Sequence, residues 1–439
     1  MKIAIVSDDL TGASDCGAQL VSYGLDVSVM MQPNGNGLIE KDAIIFNTDS
    51  RSVSEEEAYL RVKGISEQIK KESFDEVYKK IDSTMRGNIG QEINAMYDVF
   101  QPDFVFIAPA YPKNGRKIVN GVHFLNQKQL HETEVGNDPK TPVSDSCVTR
   151  LIQNQAKRKV EHLTYKDLKQ GYAWVVERLK TFKKHNISYV TVDSTNESDL
   201  ECLIQLVKKT EFSVVWVGSA GLIQHLPKAY GLKQMKSEII IPNNENPVLL
   251  VIGSVSETGR EQLDQLLLTS NVVGIEMPST KVMLDNVSKE SELKRLLQEA
   301  RIAFQKGKNV ALYSSKTVKQ TQKLGKKQGL NAIQISNRIS KVLGEIANQL
   351  IHQFDIRGLF LTGGDTAQQV FHQLHVDEFQ LIGEVESGIP IGWLNKDRNI
   401  LVVTKAGSFG SKEAMVKAVF KLQGKEYNEG QIMVRQLIF

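Results

Sequence analysis

Lys2-Ile3-Ala4-Ile5-Val6-Ser7-Asp8-Asp9-Leu10-Thr11-Gly12-Ala13-Ser14-Asp15 opens the chain, and its reading decides the fold. Lys2 to Val6 is a short run suited to a wholly buried strand. The chain then turns polar at once, with two adjacent carboxylates, a hydroxyl and a glycine. From Ala13 through Leu20 apolar residues recur at helical spacing. A strand, a polar turn and a helix form the repeating unit of open parallel sheets, which bind ligands just outside the carboxyl ends of their strands. Helix capping accounts for Asp9 or Thr11. It does not account for two carboxylates side by side, which repel one another, so the turn is read as one wall of a ligand site.

The same rhythm continues to residue 110. Asp26–Met31, Ala43–Phe46, Val77–Ile81 and Phe104–Ile107 read as strands, and Glu55–Lys71 and Ile89–Phe100 as helices. Each strand empties into a polar cluster: Asn47-Thr48-Asp49-Ser50-Arg51, Lys80-Ile81-Asp82-Ser83-Thr84-Met85-Arg86-Gly87, and Pro109 to Arg116. Residues 117–149 break the pattern with an expected hairpin over Gly121–Leu130 and a rigid loop at Asn137-Asp138-Pro139-Lys140-Thr141-Pro142; a long excursion of this kind suits a lid or binding loop. A helix over Leu168–Lys184, a strand at Ser188–Val192, a helix over Leu200–Lys208 and a strand at Ser213–Val217 follow, ending in Gly218-Ser219-Ala220-Gly221.

At 439 residues the chain exceeds one ordinary core. Ile239–Pro242 and Asn243-Asn244-Glu245-Asn246-Pro247 carry two prolines and three asparagines, which places a first domain at 1–241, a linker at 242–247 and a second domain at 248–439. The second half restarts with Val248–Ile252 and Gly253-Ser254-Val255-Ser256-Glu257-Thr258, then a helix through Leu268. Val310–Tyr313, Gly358–Leu361 and Ile400–Val403 read as further strands, with helices at Ile339–Gln353, after Thr366 and from Lys412. The expected fold class is α/β, two domains that are each a mainly parallel sheet flanked by helices.

With 41% hydrophobic and 24% charged residues and a net charge of +3, the composition is that of a globular protein without a basic stripe for nucleic acid. Cys16, Cys147 and Cys202 are far apart, which fits a reducing compartment without disulfides or structural zinc. The five-residue apolar opening is too short for a secretory signal, and no run approaches the ~18 apolar residues of a membrane span. The expectation is a cytoplasmic protein; its oligomeric state is open, homo-oligomer included. His372 and His375 have a spacing that a metal could share, but solvated or packed histidines fit as well.

In the second half, Gly363-Gly364-Asp365-Thr366 and Gly407-Ser408-Phe409-Gly410, with Ser254, are strand-to-helix turns suited to phosphates. Glycine lets the backbone approach the ligand, and free N–H groups at a helix start attract anions. Neither G-x-x-x-x-G-K-[ST] nor an early G-x-G-x-x-G occurs. In the first half, Arg51, Lys80 and Arg86 suit a carboxylate. Asp8, Asp9, Asp82, Ser83 and Thr84 suit sugar hydroxyls. A polyhydroxy acid needs both sets; the competing reading of Asp82 and Arg86 is a local ion pair. A haloacid-dehalogenase-type phosphatase would need a carboxylate nucleophile where Ser7 stands, so that reading is set aside.

Together these stretches, with Pro109-Ala110-Tyr111-Pro112, Gly115-Arg116, Leu130-His131-Glu132-Thr133 and Asp138 to Val143, resemble the four-carbon acid sugar kinases over nearly the whole chain. One departure is Glu386-Ser387-Gly388-Ile389-Pro390, where relatives tend to have a glycine before the turn. The resemblance implies an acid-sugar domain followed by a nucleotide domain, with phosphate passing from ATP to the 4-hydroxyl of a tetronic acid in the cleft between them. It implies that Asp9, Arg51 and Lys80 to Thr84 hold the substrate and that Ser254, Gly363 to Thr366 and Gly407 hold ATP. The opening segments look most like D-threonate kinases, with D-erythronate and 3-oxo-tetronate kinases close behind. Phosphoryl transfer calls for Mg²⁺ on the terminal phosphates and for Asp9 or Asp365 to take the hydroxyl proton or position the hydroxyl. Lys405 is a further candidate to offset phosphate charge. From another class, a non-catalytic acid-sugar sensor with a nucleotide-responsive second domain uses the same residues.

Overall fold

Runs of Val, Ile and Phe with no polar interruption can be strands only if both sheet faces are covered, and the computed structural model covers them with helices. It describes residues 1–31, 41–138, 140–235, 239–254, 256–284, 286–394 and 400–427; Pro139 and Val255 of the turns quoted above lie outside these. The chain divides into two compact units, Met1–Ser237 and Glu238–Phe439.

In the first unit the sheet strands are β1 (Ile3–Ser7), β2 (Val27–Met30), β3 (Ala43–Asn47), β4 (Glu76–Lys80) and β5 (Phe104–Ala108). A small separate sheet holds β6 (Arg116–Val119), β7 (Val122–Leu125) and β8 (Lys128–Gln129), and the main sheet resumes with β9 (Val160–Leu163), β10 (Tyr189–Val192) and β11 (Val214–Gly218). The main order is β2-β3-β1-β4-β11-β5-β10-β9, with all these pairs parallel. β1 is flanked by β3 on one side and β4 on the other, so the strand order reverses there; such a switch point opens a crevice at the strands' carboxyl ends. Ser7 is in register with Asn47 and with Lys80, so the three polar turns leave the sheet at one level.

Three readings change in this unit. The excursion is a three-stranded antiparallel sheet that begins at Arg116, ahead of the hairpin expected from Gly121. It is pinned to the main sheet by Asp193, whose carboxylate accepts from Asn120 and Gly121 N–H, and by backbone bonds between Ile118 and Ser194. The helix expected over Leu168–Lys184 is two, Tyr165–Lys169 and Tyr172–Lys184, because Gly171 between them has φ +87°. The edge strand β9 and the helix Val148–Ala156 were not anticipated, since V-E-H-L is short and half polar.

The second unit contains β12 (Val248–Ile252), β13 (Val272–Met277), β14 (Asn309–Ser314), β15 (Gly358–Thr362), β16 (Glu378–Glu386), β17 (Ile389–Leu394) and β18 (Ile400–Lys405). The order is β13-β14-β12-β15-β18-β17-β16. The pairs from β13 to β18 are parallel; β16 and β17 add an antiparallel hairpin that the strand-helix rhythm did not announce. Ile239 and Ile241, assigned by the sequence to the first domain, pack in the apolar cluster of the second unit. The linker residues are held there too, through Asn244 N–H to Gln423 O and Arg357 to Pro242 O. Among the described residues no helix is long and apolar enough to cross a membrane.

Candidate active site

Arg51 resolves the paradox of two adjacent carboxylates. Its Nε and Nη2 donate to Asp8 Oδ2 and Oδ1 at 2.6 and 3.0 Å, and Nη2 also donates to Asp9 Oδ1 at 2.7 Å. The same Asp9 oxygen accepts from Gly12 N–H and caps the helix Leu10–Val21. Asp9 therefore caps the helix, one of the two roles the sequence offered, and shares Arg51 with Asp8. Burial pushes Asp8 up, yet Arg51, with Lys79 and Lys80, brings it below the usual carboxylate range. Asp9 stands above that range because burial, reinforced by Asp8 and Asp82, outweighs Arg51.

The turn after β4 is tied in the same way. Arg86 Nε and Nη2 donate to Asp82 at 2.6 and 3.2 Å, Nη1 donates to Asp138 at 3.2 Å, and Thr84 Oγ1 also donates to Asp82. Burial opposes ionisation of Asp82, but Arg86 and Arg51 hold it well below the ordinary value. The local pair weighed from the sequence is thus present, and the excursion adds Asp138 to it. Asp49 and Met85 hold left-handed backbones, φ +47° and +61°, one in each flanking turn; such strain persists where surrounding structure imposes it, commonly at functional sites. Behind the turns, Ser50 donates to Glu92, which pairs with Lys79 at 2.8 Å, both ions being buried.

Lys80 differs from the two arginines. It is buried, and Nζ makes no hydrogen bond or ion pair among the described residues. It lies against Gly12, where any Cβ would collide with Nζ and with Asp9 Oδ1. Burial works against its charge, but Cys16, Asp8 and Asp9 raise its pKa overall, so it stays an ammonium. Ser83 likewise takes no partner among the described residues. Of the three cations expected to meet a ligand carboxylate, Arg51 and Arg86 are committed to aspartates and Lys80 is not.

Further groups at this end of the sheet carried no role in the sequence reading. Asp15 Oδ1, Thr11 Oγ1, both ring nitrogens of His123, and Ser194 Oγ are sealed from solvent without a hydrogen-bond partner. Asp15 responds to Lys80, Asp9 and Arg116, and His123 to Asp82 and Arg116, which ties them to the same cluster. Buried polar atoms are almost always paired, so these groups keep capacity for hydrogen bonds from water or a polar ligand. For Asp15 a signal was available: it follows Gly12 by three residues on a helix and so shares its face.

In the second unit the three glycine-bearing turns follow β12, β15 and β18, which are neighbours with Ile252, Thr362 and Lys405 in register. They pack tightly on one another. A Cβ on Gly253 would strike Thr366 Oγ1, and one on Gly407 would strike Ser254 Oγ. Ser256 Oγ donates to Gly407 O at 2.8 Å and Ser254 Oγ lies 3.1 Å from it. Gly363 has φ +97° and caps the helix Gly364–Gln373, whose first turn holds Asp365 and Thr366. Asp365 accepts from Ser336 at 3.1 Å. The expected set of Ser254, Gly363, Gly364, Asp365, Thr366 and Gly407 is thus brought together around one helix N-terminus, with Thr362 and Thr404 hydroxyls unpaired beneath. Lys405 is corrected: Nζ is buried and donates to Ala406, Gly407 and Phe409 carbonyls at 2.8 to 3.0 Å, and burial draws it down to about 7. It shapes the Gly407 turn rather than offsetting phosphate charge. His375 lies beyond the helix that holds His372, in a left-handed backbone.

Residues 3–226 match the family model of a sugar-binding N-terminal domain, and residues 249–415 that of a nucleotide-binding C-terminal domain. Over 430 residues the chain is 30% identical to a D-threonate kinase of Salmonella typhimurium, covering 96% of this chain and 99% of that protein. It is 26% identical to a 3-oxo-tetronate kinase of Pseudomonas savastanoi (96% and 97% covered) and 28% identical to a D-erythronate kinase of Heliobacterium modesticaldum (98% and 98%). Among solved structures, the Haemophilus influenzae protein HI1011 superposes with a TM-score of 0.71 at 25% identity, over 94% of this chain and 98% of that one. A Salmonella typhimurium LT2 protein described as a putative tRNA synthase shares the fold, with a TM-score of 0.79 at 22% identity over 95% and 98%. With both halves matched and the relatives aligned from end to end, the chain belongs to the four-carbon acid sugar kinases, phosphotransferases that use ATP and a hydroxyl of a small sugar acid.

Proposed function

We propose that this protein phosphorylates the 4-hydroxyl of D-threonate, giving 4-phospho-D-threonate, with Mg²⁺ accompanying ATP. The observation that carries the acid-sugar reading is Lys80, a buried ammonium without a counter-ion in hydrogen-bond range, beside unpaired hydroxyl and carboxyl groups. Desolvating an ammonium is unfavourable unless something pairs with it. The carboxylate of a sugar acid is such a partner, while Asp8, Asp9, Asp82, Ser83 and Thr84 meet its hydroxyls. Arg51 and Arg86 act chiefly by holding these aspartates ionised and oriented. Asp9 positions the acceptor.

On the nucleotide side, N–H groups at the start of the Gly364–Gln373 helix take the phosphates, and Ser254 and Gly407 wall them in. Asp365, beside the phosphate oxygens, would hold Mg²⁺, and the ion would supply neutralisation of charge on the transferring group. Among the described residues no cluster of three or more His, Cys, Asp or Glu is built to hold a metal.

D-Threonate is chosen over its relatives on the 30% full-length identity to the Salmonella typhimurium enzyme. The test is ADP release by purified protein with D-threonate, D-erythronate and 3-oxo-tetronates, followed by phosphorus–proton NMR of the product. D-Threonate should show the highest kcat/KM and its product the phosphate on C4. A higher value with another tetronate reassigns the substrate, and nucleotide binding without ADP release on any tetronate restores the sensor.

A further inference from the structure

The acceptor hydroxyl must lose a proton as it attacks phosphorus; of the two carboxylates first expected to take it, Asp9 has one oxygen committed to Arg51 and the helix cap, and Asp365, in the other unit, accepts from Ser336. Both oxygens of Asp8 accept from Arg51, Asp9 Oδ1 accepts from Arg51 and Gly12, and Asp82 accepts from Arg86 and Thr84. An oxygen that already accepts from a guanidinium is a poor base. Asp15 is placed differently. It lies on the helix Leu10–Val21, three residues after Gly12 and four after Thr11, so the three share a helical face. On that face Lys80 Nζ rests against Gly12, and Thr11 Oγ1 and Asp15 Oδ1 are sealed from solvent with no partner. The Asp15 side chain makes no hydrogen bond or ion pair among the described residues.

We propose that Asp15 is a further catalytic residue, the base that takes the proton of the acceptor hydroxyl; the assignment rests on the kinase reading above. In the step, the hydroxyl oxygen forms a bond to the γ-phosphorus and its proton passes to the Asp15 carboxylate. The bond from that phosphorus to the β,γ-bridging oxygen breaks, and ADP leaves with the electron pair. Lys80 stands near the same face and steadies the substrate's negative charge.

The surroundings suit the task. Burial pushes Asp15 up to about 6, with Lys80 of β4 and Arg116 of β6 opposing and Asp9 at the helix cap reinforcing. A general base works best when its pKa is close to the operating pH.

Asp15→Asn keeps the shape and removes the base. It should lower kcat by roughly 10²–10⁴-fold while the KM for D-threonate moves only several-fold. The acid limb of the wild-type kcat profile, centred near pH 6, should vanish from the residual activity. Asp15→Glu should recover at least tenfold (roughly) of the rate lost to Asn, as base catalysis requires a carboxyl. Thermal melting of all three proteins with and without an ATP analogue separates chemistry from folding. A folded Asp15→Asn enzyme with near wild-type kcat, or one that keeps the acid limb, overturns the proposal. So does a folded Glu variant no faster than the Asn variant. Wild-type protein that releases no ADP with any tetronate overturns the kinase reading and this assignment with it, whereas an active wild type beside an active Asn variant overturns the assignment alone.

Discussion

Asp8 and Asp9 are stable neighbours only because one guanidinium bridges them, and that bridge spends Arg51 on the protein itself. Sequence reasoning could name the residue types but not this commitment, because pairing depends on which strand ends are adjacent. His123 is a sharper case. It is fully buried, neither ring nitrogen has a partner, and desolvation, against Asp82, lowers its pKa from 6.5 to about 4. Nothing in V-H-F-L sets such a histidine apart. The sign of its effect follows from linkage. Above pH 6.5 it is neutral folded and unfolded. As pH falls from 6.5 toward 4 the unfolded chain takes up a proton that the folded protein refuses, so stability drops, and the loss is complete below 4. Between pH 7 and pH 5 this amounts to about 2 kcal/mol. His123→Leu has nothing to titrate and removes two unpaired polar atoms. Urea midpoints at the two pH values should show the variant losing about 2 kcal/mol less than the wild type over that interval; equal losses would mean that His123 is protonated in the folded state.

The first helix joins the capping carboxylate, the glycine under Lys80 and the orphan Asp15 within two turns, so its residues serve folding and function unequally. Gly12 shows the difference. Alanine is better than glycine in a helix by about 1 kcal/mol, but its Cβ would meet the ends of two side chains, Lys80 Nζ and Asp9 Oδ1. Lys80 Nζ can move, but Asp9 Oδ1 is held by Arg51 and by the helix cap, so Gly12→Ala should lower the melting temperature modestly. Moving Nζ displaces the free ammonium, so the KM for the sugar acid should rise at least tenfold, a loss of about 1.4 kcal/mol in binding. Stability and KM measured on the same preparation decide it, and a variant that melts lower with unchanged KM would make Gly12 a packing residue only. At this scale much was legible. A buried run followed by Asp-Asp, Asn-Thr-Asp-Ser-Arg or Thr-Gly-Gly-Asp-Thr announces a parallel strand and its polar exit, because both sheet faces must be apolar. The edge strand β9 and the β16–β17 hairpin were not legible, β9 because it is short and half polar and the hairpin because its register is irregular. The break at Gly171 was hidden inside a run that keeps helical spacing on both sides.

Each unit carries its own run of strands, its own apolar cluster and its own family match, and the sequence separates them by the Pro- and Asn-rich stretch whose ends the second unit holds. A division of labour between two cores makes a prediction that neither core makes alone. A ligand stabilises the state that binds it by RT ln(1 + [L]/Kd), about 2.7 kcal/mol at a hundred times Kd. Calorimetry of the wild type should therefore show one melting shift with D-threonate and another with a non-hydrolysable ATP analogue. Arg51→Ala leaves Asp8 and Asp9 facing each other unbridged, so its ligand-free melting falls and only ligand-induced shifts are informative. It should lose the D-threonate shift and keep the nucleotide shift. Gly363→Val is the converse. A β-branched residue cannot adopt φ +97° without strain, and the turn that caps the phosphate-facing helix must deform. It should lose the nucleotide shift and keep the one with D-threonate. If Arg51→Ala abolished both shifts, the acceptor and donor groups would belong to one cooperative site, and assigning sugar acid to the first unit and ATP to the second would be wrong.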